Sequence, residues 1–399
     1  MAAPSLTQWL NQLLAVLQWL QHAVLQTLYW LTGTTTEFDQ PAWLLPQRIA
    51  GEVLMIDHGL ARQVLYSLFA LAVILALLVR FLIWHQGRQP VAAMALLVVL
   101  ITPWPSPSLI LTTAYPGSFH TSPETFSAVS IELGHGLYQQ HCMACHGQDG
   151  RGMGEQAPWL PRYPPDLSSP LLGHRADGEL AWHILYGMRD HAGVVTMPPF
   201  IGTITPDETW ALLNYMKALG AGEGSQRNGN WPIPVPLPDF AVRCGDQLPI
   251  MLSVLQGQQQ RIRLVATGSD RDHELQESPL LTTIMLTPSG HSITQPQMQC
   301  WAHDNAAWNS LALIAGRTPQ NFAGTQLLAD RQGWLRARTL GIWSQDDFLC
   351  VSANDTTTDA QAKPTNDMAA SAIVQDGLFD LIERMDNEPV RYIKGGFVH

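Results

Sequence analysis

The feature that most constrains the fold is a short cysteine motif in the middle of the chain. Cys142, Cys145 and His146 form a C-x-x-C-H run, which is the attachment signature for a c-type haem. Two thiols three positions apart can lie on one turn and reach the two vinyl groups of a porphyrin, and the adjacent histidine then lies under the iron. The alternatives are a redox dithiol or half of a zinc site, although no second Cys/His pair at zinc-ligand spacing is obvious.

A wider pattern of glycine, aromatic and proline residues surrounds this motif. In chain order it reads SIELGHGLYQQ, CMACHG, PWLPRYPPDL, TMPPF and TPDETWALLNYMKAL. Over residues 129–222 this pattern resembles class I c-type cytochromes. The resemblance implies an all-α cytochrome c domain with one haem c, bound covalently through Cys142 and Cys145, and with His146 as one axial ligand of the iron.

The same resemblance assigns the other axial ligand to Met197. The two prolines after it stiffen the backbone, so its thioether can be held at the iron without a second covalent tie. A thioether opposite a histidine raises the reduction potential and fills the site, which suits electron transfer rather than oxygen activation. Replacing Met197 with alanine should therefore abolish the far-red methionine–iron band. The competing ligands are Met153, Met188, His174, His183 and His191.

Two of these competitors have features of their own. Met153 lies very close to the cysteine motif, and Met188 lies in a helix-like run, which favours a methionine packed in the core.

The closing helix of the domain has a clear start. Thr205 and Glu208 form a capping box, with a proline at the first helical position. In the family this helix crosses the N-terminal helix through a small residue, here Gly134, and an aromatic pair.

The proline loop has a predicted role at the histidine. A backbone carbonyl from Pro164 or Pro165 should accept from the ring N–H of His146 and fix its orientation. Trp210 and Tyr186 could contact the haem, but packing in the core is the preferred interpretation of each.

An apolar first part, residues 1–113, indicates a membrane anchor of two or three helices. Residues 65–84 are long enough to cross the hydrocarbon as a helix, and Arg80 is their one charge. Residues 91–112 are interpreted as a second span broken by prolines. Residues 5–31 are uncharged but rich in glutamine, so they form either a first span or an amphipathic helix on the outer leaflet.

Charge is unevenly distributed along the chain. Residues 1–113 are neutral overall, so the formal charge of −11 falls on the remainder. Such a surface makes nucleic acid a poor partner, since nucleic acid requires a cationic footprint. Arg80 precedes the turn at 85–90 and Arg88 lies in it, so the positive-inside tendency places this turn in the cytoplasm. Everything after residue 113 is then expected on the periplasmic side of a bacterial inner membrane.

The last part of the chain reads as a Gly/Pro-rich linker at 223–238, flexible in its first half, followed by an α/β domain at 239–399. Strands are predicted at 261–268, 280–287, 310–315, 325–329 and 334–339, with a hairpin turn at 330–333 and helices at 303–309 and 373–386.

This order of elements resembles a thioredoxin-like fold. The dithiol chemistry of that superfamily is missing, because GSDRDHELQES stands where its C-x-x-C would be and FAGTQ where its cis-proline loop would be. A Cys244–Cys300 disulfide would leave Cys350 alone, and three buried free thiols are the alternative.

The join LILTTAYPGSFH also resembles bacterial fusions of a copper-resistance-D-like membrane domain, a monohaem cytochrome and a degenerate thioredoxin-like tail. This chain has fewer spans than that membrane domain, so copper transport is unsupported. Met55, Asp57 and His58 could bind a metal, but they read more simply as scattered polar residues at a membrane boundary.

These features favour a membrane-anchored periplasmic cytochrome that transfers single electrons between redox protein partners, an electron carrier rather than an enzyme. The alternatives are a copper-handling membrane protein with an accessory haem domain, or the cytochrome subunit of a membrane oxidoreductase complex.

Overall fold

The computed structural model describes most of the chain after residue 57. The described residues are 16, 19, 20, 23, 27, 47–48, 58–84, 87–106, 112–113, 121–173, 175–190, 192–246, 248–268, 278–289, 300–341, 343–344, 347–349 and 377–390. The expectations for Met55, Asp57 and Cys350 therefore lie outside the described residues. Only five residues of the segment 5–31 are described.

The chain divides into two compact units. One comprises residues 1–121, 174–182 and 393–399, and the other comprises residues 122–173 and 183–392. Before residue 121, the elements whose bounds the structure describes are β1 (Gln47–Arg48), α1 (His58–Ile83), α2 (Arg88–Ile101) and β2 (Thr112–Thr113).

Within the first unit, α1 contains the one described stretch that is long and apolar enough to cross a membrane, Arg62–Ile83. The second predicted span, 91–112, overlaps α2, which has 14 residues and ends at Ile101, before the first of the predicted helix-breaking prolines. Such a helix measures about 21 Å, less than the roughly 30 Å of a hydrocarbon core. Beyond its end, the indole N–H of Trp104 donates to the Val99 carbonyl (2.9 Å).

Residues 128–227, which contain the segment that resembles a cytochrome and are called the cytochrome region below, form helices and one hairpin. They are α3 (Ala128–His141), α4 (Met143–His146), a 3-10 turn (Ala157–Trp159), α5 (Pro170–Gly173), α6 (Asp177–Tyr186), β3 (Met188–Arg189), β4 (Val195–Met197) and α7 (Pro206–Arg227). The domain is thus mainly helical, as predicted, with a two-stranded hairpin in addition.

The terminal helices α3 and α7 cross as the family resemblance implies. Gly134 lies directly against the backbone of Ala211, and the rings of Tyr138 and Tyr215 meet beside it with centroids 5.2 Å apart. The capping box of Thr205 is also present at the start of α7. Both predictions are confirmed.

The segment predicted as a linker, 223–238, is packed against the fold, and its first half, predicted to be flexible, begins as a continuation of helix α7. Helix α7 continues to Arg227, and the side chains of Trp231, Val235 and Leu237 are buried. Gly222 has a packing role here, because a Cβ on it would lie 2.2 Å from the carbonyl oxygen of Leu313. The glycine at this position lets α7 approach the backbone of Leu313 closely. From composition alone, the glycines of this part of the chain predict flexibility instead.

The elements of the C-terminal region are β5 (Ala241–Cys244), β6 (Ile250–Met251), α8 (Leu252–Gly257), β7 (Ile262–Ala266), β8 (Thr282–Thr287), β9 (Cys300–His303), α9 (Asn305–Ile314), a 3-10 turn (Pro319–Asn321), β10 (Gln326–Ala329), β11 (Leu335–Thr339) and α10 (Leu378–Asn387). The described strands form a seven-stranded sheet in the order β11-β10-β7-β8-β9-β5-β6. Strands β7, β8 and β9 are parallel, and the outer pairings are antiparallel.

Helix α9 joins the sheet region to the cytochrome region. The Ser310 hydroxyl donates to the carbonyl of Ala128 at the start of α3 (3.3 Å), and the Trp231 indole N–H donates to the Ile314 carbonyl (2.9 Å). The strand predicted at 310–315 is wrong, because these residues belong to α9 and its end. Their continuous apolar run reflects a helix buried on several sides.

One local prediction in this region is confirmed, and the structure decides between the two alternatives left open for Cys244 and Cys300. Strands β10 and β11 form the predicted hairpin, in which the Gly333 N–H donates to the Asp330 carbonyl (3.0 Å). Cys244 and Cys300 lie opposite each other on β5 and β9 and form a disulfide.

Candidate haem site

The C-x-x-C-H motif forms a single helical turn. Cys142 ends α3 and is the N-cap of α4, and neither Cys142 nor Cys145 is in a disulfide. The loop that follows folds back over this turn, because the N–H groups of Gln156 and Gly154 donate to the carbonyls of Ala144 (2.8 Å) and Cys145 (3.1 Å). Both thiols are thereby held on a fixed backbone.

His146 is buried at the end of this turn, with 8% of its surface exposed. Burial lowers its pKa, and the backbone carbonyl of Pro165 acts in the opposite direction. Its buried Nδ1 lacks a hydrogen bond of full geometry within the chain, so we infer that the carbonyl faces the ring without being optimally aligned. A neutral imidazole oriented by a carbonyl on one nitrogen is the form in which histidine binds a metal through the other.

Two glycines allow the loop to approach this closely. A Cβ on Gly154 would lie 2.3 Å from the Ala144 carbonyl oxygen, and one on Gly152 would lie 2.1 Å from the Pro164 carbonyl oxygen. Gly152 also has φ +76°, a left-handed conformation that favours glycine. The proline loop is thus pressed against the turn that carries the histidine.

The thiol chemistry does not favour a redox dithiol. Burial, followed by the neighbouring Cys145, raises the pKa of Cys142 to about 12, whereas dithiol exchange requires a thiolate. No group of three metal-binding side chains occurs among the described residues, so they supply no complete zinc site either. Two thiols outside any disulfide, beside a buried histidine, fit covalent attachment of a haem.

The hairpin that carries Met197 is tied to the neighbourhood of the cysteine motif. Beyond it, the N–H of Phe200 donates to the carbonyls of Ile184 (3.2 Å) and Leu185 (3.0 Å) at the end of α6. The Phe200 ring meets the ring of His141, the residue before Cys142, edge-on with centroids 6.2 Å apart. Phe200 therefore links the methionine segment to the start of the C-x-x-C-H turn.

The competing axial ligands occupy different environments. Met188 lies in β3 rather than in a helix, and 37% of its surface is exposed, so the prediction of a packed core methionine is wrong. Met153 is 72% exposed, and His183 is buried in α6. His174 and His191 fall outside the described residues.

Aromatic side chains of α3 and α7 pack near the motif and make contacts that the sequence did not predict. The Tyr138 hydroxyl donates to the Gly147 carbonyl just after the motif (2.7 Å), and burial raises the pKa of Tyr138. The rings of His135 and Tyr215 stack with centroids 5.1 Å apart. The sequence pattern indicates the aromatic positions themselves. It does not indicate that the Tyr138 hydroxyl donates to Gly147, because that acceptor depends on the tertiary fold. Trp210 is buried on α7, in keeping with a packing role.

Comparison with known proteins identifies this region. The model of the family described as cytochrome C oxidase, cbb3-type, subunit III matches residues 130–216. No curated protein matches the chain.

Solved structures of low similarity also match. One is a reducing HAO-like protein complex of Kuenenia stuttgartiensis, at 23% identity and TM-score 0.21, over 25% of this chain and 47% of that chain. Another is cytochrome CL of Methylophaga aminisulfidivorans MPT, at 22% identity and TM-score 0.18, over 27% of this chain and 70% of that chain. The chain thus spans about half the length of the first of these.

Residues 130–216 are therefore a cytochrome c domain of class I type, similar to the cbb3-type subunit III family. Such a domain carries covalently bound haem c, and a count of one agrees with its single C-x-x-C-H motif. The family match supports a role in haem-based electron transfer.

Proposed function

We propose that this chain is a membrane-anchored cytochrome that carries single electrons between redox protein partners on the periplasmic side of a bacterial inner membrane. Cys142 and Cys145 would hold the haem through thioether bonds, and His146 and Met197 would be the two axial ligands. The bound haem supplies an iron that changes oxidation state by one electron. With both axial positions filled, no substrate has to bind.

One observation carries this proposal: the buried His146 and the hairpin of Met197 belong to one framework. The Pro165 carbonyl faces the buried imidazole of His146, and Phe200 ties the methionine segment to His141. Held in one framework, His146 and Met197 would remain ligands of a bound haem iron in both oxidation states, which would favour electron transfer.

The compartment and the anchor have separate support. The apolar stretch Arg62–Ile83 of α1 has the length of a span. The Cys244–Cys300 disulfide is typical of an oxidising compartment such as the periplasm. The acidic remainder of the chain would attract a basic partner, so the rate of electron transfer should fall as salt increases.

The C-terminal region is proposed as a thioredoxin-like docking or scaffolding module without redox chemistry. In support, β11, β10, β7 and β8 are adjacent in that order, with α9 between β9 and β10 along the chain. Its two described cysteines are already paired as a cross-strand disulfide rather than arranged as C-x-x-C. No described residue favours copper handling.

A second candidate function is the cytochrome subunit of a membrane oxidoreductase complex. The family match favours it, because the matching family is named for a subunit of an oxidase. Mild-detergent purification separates the two: a larger catalytic subunit that co-purifies supports the complex, and isolation alone supports the carrier.

The principal test uses the full chain expressed with a haem-attachment system. We expect a haemochrome spectrum, a mass increase of one haem that survives denaturation, and a reversible one-electron titration. His146→Ala should lose the low-spin spectrum, whereas the control His135→Ala, on α3 of the same domain, should keep it. A wild-type protein without covalent haem would overturn the proposed function.

A further inference from the structure

The hairpin that carries Met197 also carries a second methionine. In the antiparallel pairing of β3 with β4, Met188 is the direct cross-strand partner of Met197, and the register shifts only beyond this pair. Direct partners in an antiparallel pair project to the same face, with Cβ atoms about 4.5–5.5 Å apart. The two thioethers therefore leave the hairpin on one side.

The backbone holds the two methionines in this register. Gly187 has φ +73°, and a Cβ on it would lie 2.5 Å from the Met197 carbonyl oxygen. At the other end, the Asp190 carboxylate accepts from the N–H groups of Ala192 and Val194, both at 2.9 Å. A one-residue slip would break the hydrogen bonds of this turn, so the turn favours the observed pairing of Met188 with Met197.

We propose that Met188 is a reserve axial ligand, whose thioether can occupy the sixth position of the haem iron when that of Met197 is lost. This inference rests on the proposed function, since the iron must face the side of the hairpin from which Met197 projects. Methionine is unbranched with three rotatable bonds, so two thioethers on adjacent strands can reach one point. Met188 is also partly exposed, which leaves its side chain free to move.

The paired methionines change the far-red spectrum that is expected of a Met197 variant. If Met188 takes over, Met197→Ala keeps a far-red methionine–iron band, shifted in position or reduced in intensity. Loss of the band then requires both changes, Met188→Ala and Met197→Ala together.

The test compares four full-length holoproteins by far-red absorption, by spin state and by the rate of binding of added imidazole. Met188→Ala should resemble wild type, and Met197→Ala should retain a low-spin, methionine-ligated spectrum. The double variant Met188→Ala/Met197→Ala should lose the band and bind imidazole at least tenfold faster. The matched control Met251→Ala/Met197→Ala, which removes a methionine of similar exposure on β6 of the C-terminal region, should behave like Met197→Ala alone.

Two outcomes would overturn the proposal. One is a Met197→Ala spectrum and imidazole rate equal to those of the double variant, which would mean that Met188 does not reach the iron. The other is loss of the band in Met188→Ala alone, which would make Met188 the resident ligand. Both differ from failure of the proposed function, which would appear as wild-type protein without covalent haem.

Discussion

The α-carbon of Gly134 lies against the carbonyl of Ala211, so closely that a Cβ added to Gly134 would fall 2.2 Å from that oxygen. The contact is made of backbone on the α7 side, which cannot rotate out of the way as a side chain can. It fixes where the first and last helices of the cytochrome domain cross. The distance between α3 and α7 therefore depends on the absence of one methyl group.

Gly134→Ala should therefore destabilise the cytochrome domain. Forcing a methyl group into a packed crossing costs about 1–3 kcal/mol, which exceeds the helix-propensity gain of about 1 kcal/mol or less. Denaturant unfolding measures the difference. Gly136→Ala is the matched control, because it lies on the same helix with nothing within 4 Å of its added Cβ, and it should be neutral or stabilising. Equal stability of the two variants would contradict the close crossing.

Gly222→Ala should weaken the packing between the cytochrome region and α9. Its added Cβ would lie 2.2 Å from the Leu313 carbonyl oxygen, whereas one on Gly220, on the same helix, would meet nothing closer than 3.6 Å. We expect a loss of about 1–3 kcal/mol for Gly222→Ala and little for Gly220→Ala. Limited proteolysis and chemical unfolding would measure both. A Gly222→Ala protein as stable as Gly220→Ala would show that this contact can relax.

The features that the sequence predicts correctly are local ones. The C-x-x-C-H turn, the capping box at Thr205 and the hairpin turn at Asp330 each depend on residues a few positions apart, so the pattern carries the geometry. The crossing at Gly134 is long-range, and it was expected only through the family resemblance.

The features that the sequence misses are set by tertiary packing. Residues 310–314 belong to helix α9, which is covered both by the sheet region and by the cytochrome helices. Because it is apolar on several sides, its sequence lacks the alternation of apolar and polar residues that identifies a helix. Gly222 is a close-packing residue, although its neighbours read as a linker. Met188 lies in a strand because the turn at Asp190 pairs it with Met197, and no helical or strand period is visible in so short a segment.

Asp330→Asn should destabilise the C-terminal region more than Glu388→Gln does. Asp330 and Arg336 are 2% and 1% exposed and form an ion pair of 2.9 Å, and Arg336 also donates to the Met385 carbonyl. Removing one partner leaves a buried charge without its counterion, at a cost of about 3–5 kcal/mol. Thermal unfolding would measure the loss. Glu388→Gln, which breaks the partly exposed pair with Arg384, should cost at most about 1 kcal/mol, and a similar cost for Asp330→Asn would contradict the prediction.

The Asp386 carboxylate should give the C-terminal region a defined acid sensitivity. The hydrogen bond from the Arg261 guanidinium holds the pKa of Asp386 below its usual range, and the charges of Arg261 and Arg331 add to this. Because the pKa is lower in the folded protein than in the unfolded chain, the stabilisation is fully present above the unfolded pKa of about 3.9. It is lost as the pH falls from there through the lowered folded pKa.

Denaturant unfolding of wild type and Asp386→Asn over a pH series measures this effect. The difference in unfolding free energy should be constant near neutral pH and shrink on acidification below about pH 4, because protonation of Asp386 in wild type leaves an uncharged carboxyl group like the amide of the variant. Glu383→Gln, on the exposed side of the same helix α10, controls for the loss of one negative charge on that helix. A difference between wild type and Asp386→Asn that stays the same at every pH would mean that the pair with Arg261 does not stabilise the fold, and that α10 is held by its buried side chains Leu381 and Met385.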